Sequence, residues 1–332
     1  MMTEKTTRKQ RSEADLFFSK YAMLFVLLGI IVVSGFINPA FLTGQNLLNI
    51  LKQVSATGIL ALGMTFVIIS GGVDLSLGAI MSICGIIGVG LIPSVGIVPA
   101  IVCAIAAGFG FGALNGWFVS LTGGTMGSSF IVTFGMSTVI GSAALSITNG
   151  ALVHAIDYPG YMVVGQGSWG IVPIAVVIFA AFVLLSWHLL NKTSFGRYTY
   201  CLGVNDEATR LSGVNVLKTR VMIYAVAGMM AAVGAILLTS RVRSASPVQG
   251  DGYELDAIAV VVLGGSRMGG GAGSAEKTLI GVIVFGVLTN ALNVLGVSSF
   301  QQMIVKGVII LVAVLIALRT VKVENELLAK AT

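Results

Sequence analysis

The side chains that most often carry catalysis or bind metal are few and scattered in this sequence of 332 residues. The thiols and imidazoles belong to Cys84, Cys103, Cys201, His154 and His188. Neither their number nor their spacing is typical of a disulfide framework or a metal site. The sequence also has no paired-carboxylate site and no nucleophile with a base nearby. We therefore expect no catalytic residue, no metal site and no cofactor in this chain.

A glycine-rich segment comes close to a phosphate-binding loop but departs from it at a decisive position. Residues 271–278, GAGSAEKT, match G-x-x-x-x-G-K-[ST] except that Glu276 stands where glycine is required. Glycine lets the backbone approach the phosphate, whereas a carboxylate repels it. The motif also requires a preceding strand, and the sequence predicts none. We therefore do not expect this chain to bind ATP by itself.

One polar segment, residues 193–220, interrupts an otherwise apolar chain and has the signals of a short helix. An asparagine caps its start, two carboxylates follow in the first turn, an arginine comes late, and a glycine supplies a left-handed stop. These residues are Asn205, Asp206, Glu207, Arg210 and Gly213. Thr209 and Arg210 are expected on its surface. Because so short a helix is marginal in water, we expect it to dock on a partner, the alternative being a solvated loop.

The composition assigns the chain to a membrane protein. Hydrophobic residues make up 56% of it and charged residues only 10%, against about 25% charged residues in a soluble domain. No lysine or arginine occurs between Gln53 and Asn191. The net charge of +6 does not indicate nucleic acid, because the cations lie beside apolar segments. The predicted fold class is an all-α polytopic membrane protein.

Ten apolar segments are candidates for membrane spans, which need about 20 apolar residues each. They are 21–37, 54–70, 75–92, 97–121, 128–147, 170–190, 221–240, 255–265, 279–296 and 303–318. The eighth is too short to cross the bilayer alone. An even number puts both termini on one side, and the loops of that side hold fifteen lysines and arginines against four on the other. The positive-inside rule therefore places both termini in the cytoplasm.

This topology defines three parts of the chain. A cytoplasmic tail covers residues 1–20, a transmembrane domain covers 21–318, and a second cytoplasmic tail covers 319–332. The loop at 191–220, which includes the polar segment, then lies in the cytoplasm.

Three glycines are spaced to bring two helices together. Gly108, Gly112 and Gly116 form a GxxxGxxxG row on one face of the fourth span. Such a row lets helix backbones approach closely. It is not a nucleotide fingerprint, because no strand precedes it. We expect close helix packing on this face.

Two glycine-rich breaks place an aspartate where a span begins. The first is SGGVDLSLG at 70–78, with Asp74, and the second runs from 252 to 273, with Asp256. By the topology above, Asp74 opens a span running outward and Asp256 one running inward. That opposition predicts an inverted repeat in which spans two to five correspond to spans seven to ten. We expect Asp74 to accept bonds from the glycine N–H groups before it, or to cap the next helix.

Four segments closely resemble the ribose-type permeases, the membrane subunits of bacterial ATP-binding-cassette importers for simple sugars. They are GGVDLSLG (71–78), FGRYTYCLGVNDEATRLSGVNV (195–216), GYELDAIAVVVLGG (252–265) and LNVLGVSSF (292–300). The resemblance implies a bacterial inner-membrane protein with a second permease subunit, identical or different. It also implies a periplasmic sugar-binding protein and a cytoplasmic ATPase with two cassettes, in which ATP and Mg would bind.

In the ribose-type family, the cytoplasmic loop between the sixth and seventh spans docks on the ATPase. The resemblance implies this role for the polar segment, in agreement with its predicted helix. The residues assigned to coupling are Gly196, Arg197, Gly203, Asn205, Asp206, Glu207, Ala208, Arg210, Gly213 and Val214.

A neutral sugar crossing the bilayer needs hydrogen-bond partners and an apolar or aromatic face along its route. Candidates for that route or its gate are Thr65, Ser70, Asp74, Ser76, Asn115, Asn290 and Asn293, with Phe134 and Phe285 as faces. The last two asparagines are three residues apart and are expected on one helix face. Hydrogen bonding between helices is an equally good interpretation of each. Whether the sugar is a pentose or a hexose stays open.

Arg241 and Arg243 depart from the positive-inside pattern, since the topology places them outside. We expect them to help dock the sugar-binding protein in the periplasm. Local pairing with Asp251 or Glu254 explains them equally well.

An ion-coupled secondary sugar transporter is the main competing class. Such a carrier needs ionisable or cation-coordinating groups inside its bundle, and the sequence offers only Asp74, Glu254 and Asp256, all near span ends. A passive channel or a receptor would not need a docking helix. The importer subunit is therefore the favoured function, and the chain itself is not expected to be an enzyme.

Overall fold

The computed structural model describes residues 27–309 and 311. The two predicted tails, 1–20 and 319–332, lie outside these residues, as do parts of the first and tenth predicted spans. Within the described part the chain is almost entirely helical, in agreement with the predicted class.

The helices are numbered in chain order and joined by short connections. They are α1 (Leu27–Ile37), α2 (Gly44–Ile69), α3 (Leu77–Gly90), α4 (Ile92–Val95), α5 (Ile97–Leu121), α6 (Met126–Thr148), α7 (Pro159–Gln166), α8 (Ile174–Lys192), α9 (Ser194–Val204), α10 (Asp206–Leu211), α11 (Val216–Val242), α12 (Tyr253–Leu263), α13 (Ala275–Val294) and α14 (299–309), with a 3₁₀ helix at Pro39–Leu42. Two short antiparallel pairs join β1 (Val153–His154) to β4 (Ser244–Ala245) and β2 (Ser168–Trp169) to β3 (Val172–Pro173).

Side-chain caps explain where several of these helices begin. In each case the capping oxygen accepts a hydrogen bond from the backbone N–H three residues on, which satisfies a donor that the helix leaves free. The capping residues are Thr43, Thr125, Thr193, Asn205, Asn215 and Ser274. The near-miss phosphate loop connects α12 to α13, so a helix and not a strand precedes it.

Among the described residues, six helices are long and apolar enough to cross a membrane: α2, α5, α6, α8, α11 and α13. The predicted total of ten is therefore not confirmed. The helices α3 and α12 have 14 and 11 residues, so at about 1.5 Å per residue they are shorter than a hydrocarbon core of about 30 Å. The prediction that the eighth span is short is confirmed by α12.

The centre of the bundle is formed by α2 and α11. In each, 83% of the most apolar window is buried, whereas α5, α6 and α8 bury only 17–22% and turn apolar side chains outward. An exposed apolar exterior around a packed centre is what a lipid environment requires. The inner pair therefore holds the groups that interact within the protein, and the outer helices face lipid or further subunits.

The glycine row brings α5 against α11, as predicted. A Cβ at Gly108 would overlap the carbonyl oxygen of Gly228, one at Gly112 would overlap that of Tyr224, and one at Gly116 would overlap the Cα of Val221. The two helices thus touch backbone to backbone along the row.

Candidate functional site

The polar segment folds into two short helices, α9 and α10, and the predicted end signals are confirmed. The Asn205 side chain accepts a hydrogen bond of 2.9 Å from the Ala208 N–H. Gly213 has a φ of +83°, the left-handed conformation that favours glycine at a helix end. The Val214 N–H turns back to the Thr209 carbonyl at 3.4 Å. Both ends of α10 are therefore fixed by the chain itself.

An ion pair to α11 anchors one side of α10, whereas the ion pair on its other side is exposed to solvent. Asp206 forms an ion pair with Arg220 at the start of α11, and the guanidinium of Arg220 lies over Gly124 between α5 and α6. Glu207 pairs with Arg210 at 2.6 Å on the exposed side. The Arg210 hydrogen bond holds the pKa of Glu207 below its usual range. Asp206 thus ties α10 to the bundle, which the sequence did not indicate.

The outer surface formed by the end of α9 and by α10 combines charge with exposed apolar side chains. Val204 is 76% exposed and Leu211 78% exposed, next to the exposed Arg210. Thr209, which was predicted on the surface, is 5% exposed, and its hydroxyl donates to the Asn205 carbonyl. That prediction was wrong because the threonine side chain is turned inward, away from solvent. The surface predicted to dock on a partner is therefore exposed in the single chain.

Two other residues predicted to take part in coupling lie where α8 connects to α9. A Cβ at Gly196 would overlap the carbonyl oxygens of Leu189 and Leu190, so only glycine allows this corner. The exposed Arg197 donates a hydrogen bond of 2.8 Å to the Ser194 hydroxyl.

Gly203 joins the polar segment to both glycine breaks. A Cβ on it would overlap the Ile69 carbonyl oxygen at the end of α2 and the Gly271 nitrogen between α12 and α13. The same two breaks are bonded to each other, because the Gly271 N–H donates to the Ile69 carbonyl at 2.8 Å. Nearby, the Tyr200 hydroxyl donates to the Gly273 carbonyl at 2.8 Å. The end of α9 is therefore in backbone contact with both breaks.

Asp74 holds the first break, but not by way of the preceding glycines. Its carboxylate accepts from the Ser76 N–H at 2.9 Å and from the Ser76 hydroxyl at 2.6 Å. The N–H groups of Gly71 and Gly72 bond to the carbonyls of α2 instead, so that alternative was wrong. Asn115 on α5 donates to Ser76 and, at 3.5 Å, to Asp74. This buried network fixes the residue before α3.

The first two polar candidates of the proposed sugar route are also turned into the bundle. Thr65 shares a hydrogen bond of 2.6 Å with Thr278 on α13, and Ser70 donates to the Val67 carbonyl at 2.8 Å. These side chains form their hydrogen bonds with groups of the same subunit. A role as a gate therefore fits them better than a role as an open lining.

The two late asparagines are not equivalent. Asn290 is buried and exchanges hydrogen bonds of 2.8 and 3.0 Å with Asn46 on α2. Asn293 is exposed and accepts from Gln302 at 2.9 Å. Their separation of three residues keeps them on neighbouring positions of α13, but Asn293 lies in the last turn of the helix, where its side chain is exposed. Of the two aromatic candidates, Phe134 is 60% exposed and Phe285 only 4% exposed.

Arg241 and Arg243 lie at the end of α11, at the opposite end of that helix from the polar segment. The guanidinium of Arg243 donates to Gln166 at 3.1 Å, and Gln166 also donates to the Arg241 carbonyl at 2.9 Å. Among the described residues, neither arginine forms an ion pair with Asp251 or Glu254. Arg243 also has a left-handed φ of 65°, which fixes where α11 stops.

Comparison with known proteins identifies the family of this chain. Residues 46–314 match the family described as branched-chain amino acid transport system / permease component. The chain is 43% identical to the ribose import permease protein RbsC of Bacillus subtilis (strain 168) and 39% identical to that of Escherichia coli (strain K12), in each case over 95% of this chain and 98% of the relative. It is 33% identical to the xylose transport system permease protein XylH of Haemophilus influenzae, over 87% of this chain and 94% of the relative. No solved structure matches the chain.

Proposed function

This chain belongs to the family described as branched-chain amino acid transport system / permease component, and we propose that it is the membrane subunit of an ATP-binding-cassette importer for a simple sugar. The relatives that match almost its whole length are named for ribose and xylose, which favours a sugar over an amino acid. It is a multi-pass inner-membrane transporter subunit and not itself an enzyme. ATP, with Mg, is hydrolysed by a separate ATPase.

The observation that carries this function is the construction of α9 and α10. The pair presents Arg210 and Leu211 outward, is tied to α11 through Asp206, and contacts both glycine breaks through Gly203. We propose that a cytoplasmic ATPase with two cassettes docks on this surface. Movement of the ATPase would then reach the breaks through rigid backbone contacts.

Glutamate substitutions on the surface of α10 test this docking. Leu211→Glu and Arg210→Glu remove contact groups and leave both helix ends intact, so the permease should remain inserted while co-purification of the ATPase falls. Leu152→Glu is the matched control, since Leu152 is also exposed but lies before β1 on the proposed periplasmic side. Wild-type capture of the ATPase by both α10 variants would contradict the docking role.

The proposed topology keeps ten membrane-crossing segments with an inverted repeat, in which α2, α3, α5 and α6 correspond to α11, α12, α13 and α14. Helix packing supports it, because the contacts occur in corresponding pairs: α2 with α12 and α11 with α3, α5 with α11 and α13 with α2, α3 with α5 and α12 with α13. In such an arrangement the short helices α3 and α12 would cross together with the extended segments that lead into them.

Charge supports the proposed orientation, with both termini in the cytoplasm. The connections that meet around α9 and α10 carry cations. The far end of α11 carries Arg241 and Arg243. The cations around α9 and α10 are Lys192, Arg197, Arg210, Lys218, Arg220, Arg267 and Lys277. By the positive-inside rule, the α9 and α10 side is cytoplasmic.

Two further partners follow from the importer assignment. We propose that a periplasmic sugar-binding protein docks near Arg241 and Arg243, a role supported by charges that no described carboxylate neutralises in an ion pair and by the fixed end of α11. A second permease subunit, identical or different, would complete the translocation route. The apolar surfaces of α5 and α6, only 22% and 17% buried, leave room for this subunit and for lipid.

The ion-coupled alternative is not favoured by the carboxylates. Asp74 is occupied by Ser76, and Asp256 is occupied by Lys306 at 2.7 Å. A carrier needs such groups available to bind and release an ion during transport. The Asp74 network with Thr65, Ser70, Asn290 and Asn293 is proposed instead to form the gate.

A further inference from the structure

A small polar pocket lies between α2, α11, α12, α13 and α14. Its volume is about 110 Å³. Thr57 and Phe285, which line it, lie near the middle of α2 and α13, two helices long enough to cross the bilayer. The pocket thus extends from the middle of α2 and α13 to the end of α11 that carries Arg241, on the proposed periplasmic half of the bundle.

Two charged side chains meet in this pocket. Lys306 of α14 and Asp256 of α12 form an ion pair of 2.7 Å, with 24% and 14% of their side chains exposed. The Lys306 ammonium also lies 5.3 Å from the centre of the Phe285 ring. Ionisable groups within a membrane bundle are costly and mark substrate pathways. Lysine can donate three hydrogen bonds and a carboxylate can accept several, so the pair retains capacity for a ligand.

Four further polar side chains line the pocket with their hydrogen-bonding groups unused. They are Gln53, Thr57, Arg241 and Tyr253. Across the described residues, none of the four side chains makes a hydrogen bond or an ion pair. The contrast with the gate residues is sharp, because Thr65, Ser76 and Asn290 bond to protein partners. The pocket therefore offers several side-chain donors and acceptors that no described protein group uses.

We infer that this pocket is a sugar-contact site on the translocation route, an assignment that rests on the proposed importer function. Gln53, Thr57 and Asp256 would accept hydrogen bonds from sugar hydroxyl groups, while Arg241 and Lys306 donate to them. Tyr253 supplies an aromatic face beside these polar groups. A hydroxyl-rich, uncharged monosaccharide matches this mixture of donors, acceptors and aromatic surface.

The size of the pocket determines how strongly it can hold a sugar. Sites that retain small ligands tightly have volumes of about 300–1,000 Å³, well above the roughly 110 Å³ found here. The pocket can therefore contact part of a sugar ring but cannot enclose it. A weak contact suits a transported molecule, which must leave the site as readily as it enters.

The test separates sugar contact from coupling. The complete transporter, with its ATPase and binding protein, is reconstituted in proteoliposomes, and uptake of labelled D-ribose is measured together with ATP hydrolysis. Thr57→Val and Gln53→Leu remove hydrogen-bonding groups and leave the ion pair intact. Because a neutral hydrogen bond contributes modestly, we expect each to lower ribose uptake per ATP about two- to tenfold. Stimulation of the ATPase by the loaded binding protein should be retained.

Two variants serve as controls. Thr57→Ser keeps the hydroxyl and should keep wild-type uptake per ATP. Ser55→Ala changes the same helix outside the pocket, where the hydroxyl bonds only to the Leu51 carbonyl, and should also behave as wild type. Unchanged uptake per ATP in Thr57→Val and Gln53→Leu would overturn the site, as would a parallel fall in uptake and hydrolysis. Absence of ATP-dependent uptake in the wild type, for D-xylose and hexoses as well as D-ribose, would instead overturn the importer function on which the site rests.

Discussion

Gly203 and Ile69 meet so closely that a single added methyl group on Gly203 would overlap the Ile69 carbonyl oxygen. Gly203 is the next-to-last residue of α9 in the polar segment, and Ile69 ends α2 at the first glycine break. The segment proposed to receive the ATPase is therefore in direct backbone contact with the segment proposed to gate the route.

This contact predicts that Gly203→Ala uncouples the transporter. The new Cβ must displace Ile69 or Gly271, because backbone cannot move aside as a flexible side chain does. We expect sugar uptake to fall at least tenfold while the ATPase still co-purifies, since the outer face of α10 is unchanged. Gly110→Ala is the control, because a Cβ at Gly110 meets nothing within 4 Å. Wild-type uptake in Gly203→Ala would show that the contact does not transmit movement.

A second prediction concerns the cap of α10. Asn205→Ala removes the acceptor of the Ala208 N–H and should cost about 0.5–2 kcal/mol of helix stability. Asn205→Asp retains an acceptor and should retain function. The measurements are amide hydrogen exchange of residues 206–211 and co-purification of the ATPase. If Asn205→Ala exchanged and bound the ATPase as the wild type does, the cap would have no role in coupling.

The polar segment also illustrates how much of the site the sequence could predict. Both ends of α10 were predictable, because caps and left-handed stops depend on neighbouring residues. The bond from Asp206 to Arg220 and the position of Gly203 between two breaks were not, because they join residues far apart in the chain. Burial of Thr209 was missed because the helix is too short for its pattern to define an inner face.

The membrane-spanning helices also have some features that the sequence could predict and others that it could not. The glycine row on α5 and the extent of α5 itself followed from local spacing and apolar length. The number of spans is not confirmed, because α3 and α12 are too short to satisfy a length criterion and the first and tenth predicted spans lie partly outside the described residues. The polar pocket was also missed, since it collects side chains from five helices and no single segment signals it.

A third prediction concerns Asp74. Asp74→Asn keeps an oxygen that can accept from the Ser76 N–H, so assembly and most of the transport should survive. Asp74→Leu removes both bonds to Ser76 and leaves buried donors unpaired, which costs about 1–3 kcal/mol for each. Expression level and monodispersity should therefore fall in the leucine variant only. Normal assembly of Asp74→Asn with abolished transport would point instead to a titrating carboxylate.

A fourth prediction concerns the two arginines at the proposed periplasmic end of α11. Reversing both charges in Arg241→Glu/Arg243→Glu should raise the concentration of binding protein needed for half-maximal ATPase stimulation. Attraction between complementary surfaces is then replaced by repulsion. Arg243→Gln alone, which removes charge but can still donate to Gln166, should have a smaller effect. An unchanged half-maximal concentration in the double variant would exclude these residues from docking.

The most direct test of the importer function is the energy source of uptake. Proteoliposomes containing the permease and its ATPase, supplied with binding protein outside and ATP at the ATPase, should accumulate labelled D-ribose. Uptake should stop when ATP, the ATPase or the binding protein is omitted, and should continue when ionophores abolish proton and sodium gradients. Uptake that needs no ATPase and stops with the ionophores would contradict the account and favour an ion-coupled carrier.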